Sequence, residues 1–98
     1  MIKGIIGYKV RSYKDVEPVL MKLREHAMQY PGFVSAENMV SEVDFSVVVM
    51  QITWQTMENW TTWLKSRITQ NLLRQERHLL LEDPRATAYR IMPTTEWR

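Results

Sequence analysis

The segment FSVVVMQITWQTMENWTTW, Phe45 to Trp63, constrains the fold more than any other part of the chain. A β-type run passes directly into a tryptophan-rich helix start, with three of the four tryptophans inside the ten residues Trp54 to Trp63. In a strand, alternate side chains point to opposite faces. Val48, Met50, Ile52 and Trp54 therefore share one face. Phe45, Val47 and Val49 share the other, followed by Gln51 and Thr53. A sheet covered by helices on one side alternates apolar with polar residues. Here both faces are largely apolar, so the helix-free face is expected to meet a second sheet, most simply that of a second copy of the chain. The alternative is that β-branched residues merely suit strands.

The remaining elements follow from periodicity and punctuation. Ile2 to Val10 reads as a strand in which Gly4 and Gly7 mark a bulge or a close backbone approach. Asp15 can cap a helix starting at Val16, with Pro18 in its first turn; Val16, Val19, Leu20, Leu23, Ala27 and Tyr30 recur at helical spacing. Pro31-Gly32 ends that helix. Phe33 to Glu42 and Phe45 to Trp54 should pair as an antiparallel hairpin through a tight Val43-Asp44 turn. Thr56 can cap a second helix, with Glu58 in its first turn, running to about Leu80 with a bend near Ser66. Asp83-Pro84 stops it, and Ala86 to Met92 forms a last strand before a polar tail. The order β-α-β-β-α-β predicts an α+β, ferredoxin-like domain: an antiparallel sheet with two helices on one face. Residues 1–98 form one domain.

Composition narrows the function. With no cysteine, disulfides, thiolate metal sites and cysteine nucleophiles are excluded. No apolar run approaches the roughly 20 residues that span a bilayer. The N-terminus lacks a long apolar region and a small-residue cleavage site, so no membrane partner and a cytoplasmic location are expected. The sequence pI is near 9.1. Yet 13 Lys and Arg against 11 Asp and Glu leave only +2, with signs interleaved in Lys22, Arg24, Glu25 and in Arg74, Glu76, Arg77. Such runs read as solvated faces, and the same-sign clustering that nucleic acid requires is missing.

Met57, Trp60, Leu64, Ile68 and Leu72 form a helical stripe, which places Trp60 in the core. Trp63 lies about 60° further round, at the edge of the stripe. Asn59 precedes it by four residues, so the two share a helical surface. An amide beside an indole at a core margin can orient a planar, oxygenated ligand. On spacing alone, a solvated asparagine in a first helical turn is the favoured account of Asn59.

The segment PGFVSAENMVSEVDFSVVVMQITWQTMENWTTWLKS resembles the antibiotic biosynthesis monooxygenase family, with its Pro-Gly-aromatic strand start, hairpin, strand ending in Trp and Trp-rich helix start. The resemblance implies a ferredoxin-like protomer whose sheets pair into a dimeric α/β barrel. For some members it implies oxidation of aromatic polyketides or quinols by O2 with no metal or flavin, so no cofactor is expected. Members of that kind use an Asn and a Trp four apart on the second helix, a spacing that Asn59 and Trp63 reproduce. By that likeness Asn59 would hydrogen-bond a substrate oxygen and Trp63 would stack on the ring and exclude water. Arg67 could stabilise the anion, and Trp60 would complete the wall. Haem-degrading members carry an asparagine on strand one and an axial histidine ten residues after the tryptophan. Here Leu73 stands at that position and strand one has no asparagine, so haem degradation is not expected. His78, five residues later, reads as a surface histidine.

RNA-recognition domains share this element order, but strand three, DFSVVVMQITW, lacks their glycine, basic start and paired aromatics. His26 has no second ligand a turn away and His78 has only Glu82, so no metal site is expected. The expected partner is a small aromatic or hydrophobic molecule bound by a homodimer. The competing reading is a dimer that binds such a metabolite without chemistry.

Overall fold

The computed structural model describes residues 1–92. Its elements are β1 (Ile2–Lys9), α1 (Tyr13–Met28), β2 (Phe33–Val40), β3 (Val47–Trp54), α2 (Met57–Lys65), α3 (Arg67–Gln75), a 3-10 turn (Arg77–Leu79) and β4 (Arg85–Arg90). The polar tail read after Met92 lies outside the described residues.

The strands form one antiparallel sheet in the order β2-β3-β1-β4, the ferredoxin-like arrangement expected. The face of β3 carrying Val48, Met50, Ile52 and Trp54 is wholly buried, together with Ile6, Tyr8 and Val10 of the first strand. Val16, Leu20, Leu23 and Ala27 of α1 close over it. These are the α1 positions that the helical spacing selected, so burying one stripe of α1 against one face of β3 is what builds the core.

Four boundaries depart from the sequence reading, each for a local reason. First, α1 begins at Tyr13, not Val16, on an extended Ser12 that makes no side-chain cap. Tyr13 packs edge-on against Phe45, with ring centroids 6.3 Å apart, which draws the chain into the helix a turn early. Asp15 becomes a first-turn charge facing the helix dipole. Pro18 lies inside the helix, on its exposed side, where the missing N–H leaves a carbonyl to solvent.

Second, the hairpin turn is wider than Val43-Asp44. Residues 41–46 form a loop in which Ser41 Oγ accepts from the Val43 and Asp44 amides and Asp44 Oδ1 accepts from the Ser46 amide and hydroxyl. Phe45 therefore sits in this loop, 63% exposed, and not on β3.

Third, the bend expected near Ser66 is a complete break. Ser66 is extended (φ −62°, ψ 150°) and ends α2 while starting α3. Its amide donates to the Trp63 carbonyl, its Oγ accepts from the Thr69 amide and Gln70 Nε2 donates to the Leu64 carbonyl. Both helix ends are thus satisfied without a continuous helix. The break resets the helical phase, and the expected stripe holds only in part, with Trp60 buried and Leu64 and Leu72 packed against the core. Met57 and Ile68 are about half exposed, whereas Trp60, Trp63, Thr69 and Glu76 are buried. Fourth, β4 ends at Arg90, not Met92.

Candidate functional site

The site is built where β3 hands over to α2. Gln55 N–H donates to the Gly32 carbonyl at 2.8 Å, tying the start of β2 to the end of β3. The next residue, Thr56, caps α2 through a reciprocal box. Thr56 Oγ1 accepts from the Asn59 amide (3.1 Å), while Asn59 Oδ1 accepts from the Thr56 amide (3.2 Å) and hydroxyl (2.7 Å). Asn59 is therefore a structural cap, and its carbonyl is fully engaged. What it has left to offer a ligand is the Nδ2 group, held in a fixed direction by that box. Gly32, at φ 84°, lets the Asn59 side chain lie directly against the backbone, where a β-carbon would stand 2.1 Å from Oδ1.

Trp63, one turn further, has no exposed surface. Its ring lies 5.7 Å from that of Trp54 and 5.9 Å from that of Trp60, both tilted by less than 40°. Phe33 meets Trp54 edge-on at 5.9 Å. Trp60 lies over the α-carbon of Gly4. The stack is continuous and buried, yet among the described residues the indole N–H groups of Trp54 and Trp63 have no acceptor. Burying a donor without a partner costs about 1–3 kcal/mol. Two in contact are a feature that apolar packing alone does not require.

Asn59, Trp60 and Trp63 thus come together on α2. Arg67 does not join them: it opens α3 beyond the break, exposed to solvent, and the one-turn relation to Trp63 is interrupted at Ser66. Leu73 is half-buried on α3 and His78 is exposed on the 3-10 turn. His26 Nε2 lies 3.2 Å from Ser66 Oγ, so this histidine pins the helix break from α1, and desolvation holds its pKa below the usual imidazole value. Among the described residues no cluster of three metal-ligating side chains occurs.

One charged group behaves contrary to the sequence reading. Glu76, taken with Arg74 and Arg77 as part of a solvated face, has no exposed surface at the end of α3. Both carboxylate oxygens and the Tyr8 hydroxyl are buried without a well-formed hydrogen bond, although the two groups adjoin closely enough for the Glu76 charge to act on the phenol. Desolvation pushes the Glu76 pKa up to about 7, and the phenol opposes this only in part. Tyr8 is itself pushed up, first by burial and then by Glu76. The signal was present in the spacing. Once α3 restarts at Ser66, Thr69 and Glu76 are seven apart and share the inward stripe.

The described clefts lie elsewhere. The largest, about 330 Å³, is lined by Gly7, Lys9, Val47, Glu82 and Arg85 among others. A smaller one, about 250 Å³, runs along Ile2, Met57, Ala88 and Tyr89.

No protein-family model matches the chain, and no curated protein is similar to it in sequence. Solved structures do match. A crystal structure of an antibiotic biosynthesis monooxygenase superposes over 95% of this chain and 100% of its own, with a TM-score of 0.80 at 17% identity. SnoaB, a cofactor-independent oxygenase from Streptomyces nogalater, matches with a TM-score of 0.81 at 14% identity, covering 97% of this chain and 96% of its own. Rv0793 from Mycobacterium tuberculosis matches at 0.80 and 15% identity, over 94% and 95%. The chain therefore has the α+β fold of antibiotic biosynthesis monooxygenase structures over nearly its whole length.

Proposed function

We propose that the protein is a cofactor-independent monooxygenase of an aromatic or quinol-like small molecule, acting at the α2 site. The observation that carries this reading is the pair of buried indole donors without acceptors among the described residues, Trp63 one turn beyond Asn59 on α2 and Trp54 at the end of β3. Unpaired donors in a dry site are what a developing phenolate or enolate oxygen needs. The shared fold adds support, since SnoaB is a cofactor-independent oxygenase.

In this reading the substrate carbon acid first loses a proton. Its carbanion passes one electron to O2, and the two radicals combine to a peroxide at that carbon. Loss of the second hydrogen with cleavage of the O–O bond leaves one oxygen as a carbonyl and the other in water. The protein's own part is to bind the ring against Trp63 and Trp60, direct Asn59 Nδ2 at a substrate oxygen and stabilise negative charge. Arg67 can add charge at the mouth only if α3 turns toward α2. With anthrones or reduced quinols as substrates, O2 uptake is expected to fall by about 100-fold in Asn59→Asp and in Trp63→Phe, the scale of losing one oxyanion donor. Unchanged uptake in both folded variants sinks the site assignment.

The second reading is a binder without chemistry, its ligand held in a cleft away from the indole donors: Trp63 is fully buried and none of the clefts described above reaches it. Saturable tryptophan quenching by the same quinols, with no O2 uptake, would select it.

As to assembly, we propose a homodimer through the helix-free face. Ile5, Val47 and Val49 are half-buried there, with Met39 and Tyr89 exposed beside them. Lys3, Lys9 and Arg85 lie on the β1–β4 half of this face and Glu37 on β2, so a two-fold axis along the strands sets opposite charges against each other. Val49 stands in register between Met39 and Gly7. Light scattering is expected to give twice 11.7 kDa for the native chain and the single mass for Val49→Glu. A native monomer at micromolar concentration rejects the dimer.

A further inference from the structure

We propose that α3 is a lid, hinged at Ser66 and held closed by burial of the neutral Glu76 carboxyl group beside Tyr8, and that loss of the Glu76 proton releases it. The hinge is the extended Ser66 between two nine-residue helices. Beyond Glu76, Leu80 bridges to Val10 and Leu81 N–H donates to the Lys9 carbonyl at 2.8 Å, so the far end stays fixed to β1. The segment between these anchors packs chiefly on α1 and α2 rather than on the sheet. Its inward polar groups are Thr69, which is satisfied by Ser66 Oγ at 2.9 Å, and Glu76, which is not.

A buried carboxyl group with no cation beside it can stay closed only as the neutral acid. Among the described residues no cation faces this one. On β1 the one titratable neighbour is Tyr8. On α1 the residues that pack inward are Val16, Leu20 and Leu23, while Lys14, Asp15, Glu17 and Lys22 are exposed. On α3 itself Arg74 is exposed and bonded to Asn71. In the 3-10 turn Arg77 is exposed and paired with Asp83, and His78 points to solvent. The negative end of the α3 dipole lies at the same point and also disfavours the anion. Trp63 lies three residues before the hinge, so lifting α3 also frees the end of α2 that carries this ring.

The direction with pH is fixed. The closed-state pKa, about 7, lies above the ordinary 4.5, so the closed form binds the extra proton. Closure is therefore fully stable below the ordinary value and is lost as pH rises through about 7. Tyr8 remains a neutral phenol throughout, and His26 titrates only on the acid side.

The test is hydrogen exchange of the native chain at about pH 5.5 and about pH 8.5, corrected for the intrinsic pH dependence of exchange. Protection of the amides of residues 70–79 is expected to fall by at least about tenfold, the equivalent of one pKa unit. α1 and β1 to β3 should hold their protection. In Glu76→Gln the fall should vanish. In Tyr8→Phe it should move to higher pH, because the phenol favours the carboxylate. An equal fall in Glu76→Gln, or a fall spread over the whole sheet, overturns the lid. If Glu76→Gln does not fold, Tyr8→Phe decides alone, and an unmoved midpoint is the overturning result. The measurement needs no substrate, so its outcome is independent of the oxygenase reading.

Discussion

Trp63→Ala is expected to lower the stability of the chain by about 3–5 kcal/mol, the range for deleting a fully buried large aromatic. Against a total of about 5–15 kcal/mol for domains of this kind, that loss brings the protein close to unfolding. Trp63 has no exposed surface and contacts two further indoles, so the cavity left behind cannot be filled by solvent or by a flexible neighbour. The indole N–H makes no hydrogen bond, so the whole loss comes from packing. Trp63→Phe keeps one aromatic ring and removes the unpaired donor together with part of the indole. It should therefore cost less than Trp63→Ala, about 1–3 kcal/mol as a smaller large-to-small core exchange.

Urea denaturation of the two variants separates packing from function. A small stability loss in Trp63→Phe together with a large loss of O2 uptake assigns the N–H to a ligand. If Trp63→Ala costs under about 1 kcal/mol, the ring is not the core element described here.

How much of this was legible in the sequence depends on the length over which a pattern persists. The sheet was readable because β3 is an eight-residue β-type run in which Val48, Met50, Ile52 and Trp54 share a buried face, and α1 because its apolar stripe recurs from Val16 to Ala27. The second helical region was misread in phase, although its extent was nearly right. A single serine at position 66 can cap both helix ends, and no propensity distinguishes such a break from a mild bend. Beyond it, Ile68 was projected onto the core and Glu76 onto the solvent, both on the wrong face, whereas Leu72 does pack against the core. The hairpin was misjudged because Ser41 and Asp44 side chains replace backbone turn bonds, which lengthens the loop. At the site, the Asn59–Trp63 spacing was visible, but the capping box that occupies the Asn59 carbonyl depends on the Thr56 rotamer.

The two glycines of β1 offer a sharper test, because the sequence treats them alike and the packing does not. β1 pairs with β3 and β4 without a register shift, so neither glycine marks a bulge. A β-carbon on Gly4 would stand 2.2 Å from Trp60 Cε3 and 2.3 Å from Cζ3. That ring is 3% exposed and itself stacked on Trp63, so it cannot swing aside without opening the core. Gly4→Ala is therefore expected to cost about 1–3 kcal/mol through overpacking. On Gly7 the same carbon would meet nothing nearer than the Arg85 carbonyl at 3.9 Å, an ordinary contact. There the substitution only restricts the unfolded chain, and Gly7→Ala should be neutral or stabilising by up to about 1 kcal/mol. Thermal melts of the two variants check this. A shift of about 4–8 °C per kcal/mol makes the contrast measurable in a domain of this size. Equal melting temperatures would mean that Trp60 does not rest on the β1 backbone. The tryptophan stack would then lose its floor, and the site geometry built on it would fall with it.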